Sequence, residues 1–129
     1  MVHATWFYVA EKQRPMNRFR YSIAFMFLLF GAVQFNDPDP EYWASWYLSL
    51  ALLCVLDARG RLSRYVWLIP VLIGLVWLVR IWPEAWEGLG LGDGMQMKTD
   101  NVERARESGG LILSMLFSLF FFRFRGVRK

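Results

Sequence analysis

Cysteine and histidine are almost missing from this chain. Its one cysteine, Cys54, cannot form an internal disulfide, nor a multi-cysteine zinc or iron–sulfur site. Its one histidine, His3, lies near the start, so a haem held by two histidines within one bundle is excluded. No Ser–His–Asp or Cys–His pair is expected either, because His3 falls on the side opposite the acids. Charge is absent where a soluble helix needs it. Tyr65–Val79 carries none, and a water-facing helix requires a polar stripe. No internal repeat is present. Gly88, Gly90, Gly92 and Gly94 alternate but follow no strand and lack a phosphate-loop lysine, so they are expected to form a flexible outward loop.

What the chain does contain is apolar and aromatic. Of its 129 residues, 56% are hydrophobic, with seven Trp and eleven Phe. Globular proteins run at about 45–50% even when glycine is counted, so lipid is the expected surroundings. Four apolar segments stand out: Tyr21–Phe35, Tyr42–Leu56, Tyr65–Trp82 and Gly109–Phe122. A bilayer core of ~30 Å needs about 20 helical residues. With their flanks, the segments predict spans over 16–36, 40–58, 64–82 and 101–125, an outward loop over 83–100, and one integral membrane domain over 1–129. The expected fold class is all-α, a four-transmembrane-helix bundle.

Local signals mark the helix ends. Pro15 suits a first helical position, with Arg18 and Arg20 snorkelling to the interface. Asp39 is placed to N-cap the second helix, with Pro40 first and Glu41 next to the positive end of the dipole. Ser63 is placed to cap the third, Pro83 to stop it, and Pro70 to kink it. Asp100 and Glu103 resemble a capping box at the fourth, and Gly126 is its expected stop. No clear small-x-small cleavage site follows the first apolar run, which is expected to be retained.

The net charge of +4 matters less than its layout. Lys12, Arg14, Arg18 and Arg20 precede the first span. Arg59, Arg61 and Arg64 separate the second and third, and Arg123, Arg125, Arg128 and Lys129 follow the last. Four spans put all of these on one side and leave Arg80, Lys98, Arg104 and Arg106 on the other. Both termini are therefore expected in the cytoplasm of a plasma membrane, the inner membrane in a bacterium. Trp6-Phe7-Tyr8 suits one interface. Trp43, Trp46, Trp82 and Trp86 suit the outer belt, and Cys54 suits inert apolar packing. Short basic clusters at segment ends are not a nucleic-acid stripe. The expected partners are the lipid bilayer and other membrane protein subunits or a second copy.

Val33-Gln34-Phe35-Asn36-Asp37-Pro38-Asp39-Pro40, followed by Trp43 and Tyr47, resembles the signature of the transmembrane protein 220 family. Glu103, Arg106, Glu107, Gly110 and Leu111 resemble that family's second motif, at the start of its last helix. The chain has Glu103-Arg104 where the family often carries a doubled acid. The resemblance implies a small multi-spanning membrane protein and implies no reaction.

Both motifs fall on the outward side. Glu103 and Glu107 are one turn apart and share a face, continued by Gly110, Ser114 and Ser118. That stripe, with Ser45 and Ser49 on the second helix and Gly31 and Ala32 on the first, suits close helix approach. Gln34, Asn36, Asp37, Asp39, Glu103, Arg106 and Glu107 are the candidate polar cluster, with Arg80 and Arg106 as counter-ions. As a metal site, Asp37, Asp39, Glu103 and Glu107 offer oxygen alone, which suits Ca²⁺ or Mg²⁺ rather than zinc or copper. No other cofactor is implied. The structural alternative is that Asp-Pro makes a turn and cap, while the glutamates and Arg106 pair with Arg80 or Asp37. Three functions follow: a non-catalytic accessory subunit or scaffold, a binding or transport module for a divalent cation or small polar ligand, and a membrane enzyme using the carboxylates. Few polar groups lie below Gln34, which favours the first.

Overall fold

Long apolar runs bounded by prolines and polar turns fold here as four α-helices. The computed structural model describes residues 2–93 and 98–124, and side chains over 15–92 and 98–124. Helix α1 is Val2–Val33, α2 Pro40–Ala58, α3 Leu68–Ile81 and α4 Asp100–Arg123. Short 3₁₀ turns cover Gln34–Asn36, Arg64–Trp67 and Leu91–Asp93. No strand occurs among the described residues, so the fold is all-α. Among the described residues, three helical stretches are long and apolar enough to cross a membrane: Pro15–Asn36, Arg64–Ile81 and Asp100–Arg123. Helix α2 is not one of them. Its first half is dominated by Tyr and Trp, and Glu41 and Asp57 sit near its two ends.

The chain divides after Ser63 into two compact units. The first contains the hairpin α1–α2, the second the hairpin α3–α4.

In the first hairpin, apolar residues recur at helical spacing on both facing stripes. Ile23, Ala24 and Phe27 are buried on α1, and Trp43, Tyr47, Leu50 and Cys54 on α2. The Phe30 ring meets Tyr47 edge-on at 5.5 Å, and Phe27 stacks on it at 6.1 Å. Gly31 is where the helices close. A Cβ there would lie 3.6 Å from the Tyr47 Cβ, which is ordinary contact and leaves no room for a longer side chain. Ser45 and Ser49 do not lie on this packing face, contrary to expectation. Both are exposed, and the Ser49 hydroxyl is satisfied by donating to the Ser45 carbonyl at 2.7 Å. Ala44 and Ala51 supply the small buried positions of α2 instead. Ala32 is likewise exposed.

Helix α1 begins well before Pro15, which lies inside it. Ala4, Ala10, Glu11, Lys12, Gln13 and Arg14 are good helix formers, and they carry the helix through the proline. At 32 residues it is about 48 Å long.

In the second hairpin, Trp67 and Phe121 are fully buried with ring centroids 4.8 Å apart. Above them, Tyr65 meets Phe122 at 5.9 Å. Pro70 is the third residue of α3, not a mid-helix kink. In that first turn a missing N–H costs little, because the amides there lack an intrahelical acceptor. Pro83 follows directly on the C-cap Trp82, as its position suggested. The α4 cap is Thr99, not Asp100. The Thr99 hydroxyl accepts from the Val102 amide at 3.2 Å, which shifts the cap one residue earlier and leaves Asp100 and Glu103 in the first turn. Phe124 closes the helix, with its amide donating to the Phe120 carbonyl. Arg125 and Gly126 lie outside the described residues.

The buried stripe of α4 runs Val102, Ala105, Ser108, Leu111, Ser114, Ser118 and Phe121. Ser114 and Ser118 donate back to the Gly110 and Ser114 carbonyls at 2.8 Å each, so both hydroxyls are satisfied within the helix. The Ser108 hydroxyl is equally buried and has no hydrogen-bond partner among the described residues. Ser108→Ala is therefore expected to stabilise the protein by about 1 kcal/mol, read as a higher Tm in detergent, whereas Ser114→Ala is expected to leave Tm nearly unchanged.

Candidate functional site

Three polar groups interrupt the apolar surfaces: the turn between α1 and α2, the entrance to α4, and a pair buried inside the first hairpin.

The turn is built by local hydrogen bonds. The Gln34 side chain donates to the Phe30 carbonyl at 3.1 Å, and its own carbonyl accepts from the Asp37 amide at 2.9 Å. Asp37 is extended, with φ −85° and ψ 159°, as a residue before proline must be. Asn36 is exposed, and Asp37 and Asp39 are half-buried. Asp39 occupies the N-cap position of α2, but its side chain makes no capping hydrogen bond. Its ψ of 59° lies far from the extended backbone of a capping residue.

The entrance to α4 is tied to the preceding loop. Thr99 Oγ1 and Asn101 Nδ2 both donate to the Glu87 carboxylate. Asn101 also accepts from the Ala85 amide at 3.4 Å. Arg106 donates from Nε to the Leu89 carbonyl and from Nη2 to the Gly90 carbonyl, each at 2.7 Å. Gly88 and Gly90 have φ of +83° and +58°, which only glycine adopts freely. The expected flexible loop is thus folded back onto α4 over Ala85–Gly90, while Gly94 lies outside the described residues. Glu103 and Glu107, a turn apart on α4, are half-buried. Arg106, expected as a counter-ion, grips backbone carbonyls of the loop. Arg80 is exposed and pairs with no carboxylate among the described residues, contrary to its expected role as a counter-ion. Asp37 and Asp39 belong to the first unit, and Glu103, Arg106 and Glu107 to the second.

The hydrogen bonds from Thr99 and, next, Asn101 hold the Glu87 carboxyl below its ordinary range. A lowered folded value means the tether is complete above the unfolded carboxylate pKa of about 4.3. It is lost as pH falls through the lower, folded value. Protection of the amides over residues 85–90, taken relative to the intrinsic exchange rate at each pH, is expected to fall only once pH drops below the ordinary carboxylate range, and Glu87→Gln is expected to remove that pH dependence.

The third polar group is an ion pair buried inside the first hairpin. Arg20 Nε donates to Asp57 Oδ2 at 2.9 Å, and Arg20 Nη1 donates to Asn17 Oδ1 at 3.1 Å. The side chains of Arg20 and Asp57 are 3% and 0% exposed. Arg20 does not snorkel to an interface as expected. It stands on the same stripe as Ala24, Phe27 and Gly31, and Asp57 on the same stripe as Leu50 and Cys54. An acid and a base on two facing apolar stripes were the available signal. Cys54, one turn before Asp57, is fully buried.

No curated protein and no solved structure matches the chain. One family's sequence model, described as Transmembrane family 220, helix, matches residues 26–123. That run takes in the Asn36–Pro40 turn, the whole α3–α4 hairpin and the α4 entrance, and covers well over half of the chain. The chain belongs to transmembrane family 220.

Proposed function

We propose that this is a non-catalytic integral membrane protein acting as an accessory subunit or scaffold in a membrane assembly. In this reading all four helices cross the membrane, the inner membrane in a bacterium, with both termini in the cytoplasm. The partner is another membrane protein or a second copy of the chain.

The observation that carries this reading is how the polar side chains are used. Arg20 and Asp57 hold α1 to α2. Glu87, Thr99 and Asn101 hold the loop to α4, and Arg106 holds it again. The one thiol is buried. These groups serve the architecture, which suits a protein whose output is a surface. Helix α3 supplies such a surface, with Leu72, Val76 and Val79 60% exposed or more.

The test is mild solubilisation of native membranes after in-membrane crosslinking, followed by identification of what travels with the chain. A defined assembly or a discrete homo-oligomer is the expected result. A lone monomer under every condition that preserves known membrane complexes would exclude the subunit role. Reporter fusions at each terminus test the orientation, and a periplasmic signal at either end would overturn it.

A further inference from the structure

The end of the second hairpin where Arg64 opens one candidate span and Arg123 closes the other carries two arginines braced on aromatic rings. The Arg64 guanidinium lies over Tyr65 at 5.1 Å and over Phe122 at 5.3 Å from the ring centroids. Its Nη2 also donates to the Tyr65 hydroxyl at 3.4 Å. Arg123, the next residue after Phe122, lies over Phe124 at 5.5 Å. Both arginines are exposed, and neither pairs with a carboxylate among the described residues.

These features point to an anion. A guanidinium stacked on a ring loses part of its rotational freedom while its remaining N–H groups can still donate, and a guanidinium fork suits phosphate. Both cations sit at the same end of one hairpin with no carboxylate paired to either among the described residues, which leaves their charge available to an anion. The ends of two apolar spans place this group at the depth of lipid headgroups, where phosphates are most concentrated. Tyr65 and Phe124 are also more than half exposed there, as interfacial aromatics are.

We propose that Arg64 and Arg123, braced by Tyr65, Phe122 and Phe124, form a binding site for the phosphate of an anionic phospholipid. The site rests on α3 and α4 crossing the bilayer and does not depend on the subunit role proposed above.

The test uses the full-length protein in detergent, incubated with phosphatidylglycerol or phosphatidylcholine, with bound lipids counted by native mass spectrometry. Wild-type protein is expected to retain phosphatidylglycerol over phosphatidylcholine. The variant Arg64→Gln/Arg123→Gln is expected to bind phosphatidylglycerol roughly tenfold more weakly or worse, with an unchanged Tm. Arg64→Lys keeps the charge but not the fork and is expected to fall between them. Arg59→Gln/Arg61→Gln, which removes two unbraced cations from the same linker, is expected to match wild type. Equal retention of the two lipids overturns the proposal, as does unchanged binding in the Gln double variant. Equal loss in the Arg59/Arg61 variant also overturns it, since any basic surface would then suffice. Displacement of the lipid by millimolar inorganic phosphate would reassign the site to a soluble phosphate.

Discussion

Asp57→Ala is expected to destabilise the α1–α2 hairpin by roughly 3–5 kcal/mol, the cost of leaving a buried charge without its partner. Asp57 is fully buried, and Arg20 nearly so. Without the carboxylate, the Arg20 guanidinium still donates to Asn17 Oδ1, a neutral acceptor that cancels no charge. Arg20→Ala is expected to cost about the same, since the fully buried Asp57 side chain then loses that guanidinium. The decisive variant is the double apolar replacement Arg20→Met/Asp57→Leu. Removing both charges also removes the cost of desolvating them, so its stability is expected to return to within about 1 kcal/mol of wild type or exceed it. Unfolding by SDS titration in mixed micelles reads all three. If each single variant matches wild type, the pair contributes nothing to the hairpin.

Trp67→Ala is the second large effect, expected to cost about 3 kcal/mol. Trp67 and Phe121 are both fully buried against each other. Lipid tails are as apolar as the protein interior, so the transfer term that dominates in water is small here. What remains is lost dispersion contact and the void, which places the value at the low end of the range for aromatic truncation. Phe121→Ala is expected to behave likewise. The two losses are expected to overlap rather than add, with a coupling of about 1 kcal/mol. Trp67→Phe is expected to keep most of the stability. Thermal unfolding of the four proteins in one detergent closes the cycle, and strictly additive losses would show that the rings do not act together.

Much of the architecture could be read from residue order. The apolar runs and the prolines at 40 and 83 located the helices, because a missing amide and a fixed φ act locally. The family was visible in Asn36–Pro40 for the same reason: five consecutive residues carry it. Expectation and structure part wherever a distant residue decides the outcome. Pro15 reads as a helix start until the helix formers before it are weighed together. Thr99 does not stand out as a cap in the sequence, because Asp100 and Glu103 make the more familiar pattern. Gly88 and Gly90 suggest mobility until Arg106, sixteen or more residues away, is seen to grip the carbonyls of Leu89 and Gly90. The Arg20–Asp57 pair spans thirty-seven positions. Only the register of two facing helices brings it together, and that register is set by Gly31, Tyr47 and the rings around them. Within the candidate polar cluster, the turn and the α4 entrance were each recognisable as motifs. The tasks of their side chains were not, since a carboxylate that accepts from a neighbouring threonine looks the same in sequence as one awaiting an ion.

The complete enclosure of Cys54 makes the molecule unusually convenient to instrument. With its only native thiol shielded from water-borne maleimides, a cysteine introduced at any exposed position becomes the single reactive handle. Spin labels, fluorophores or crosslinkers can then be attached one site at a time, without first stripping the background.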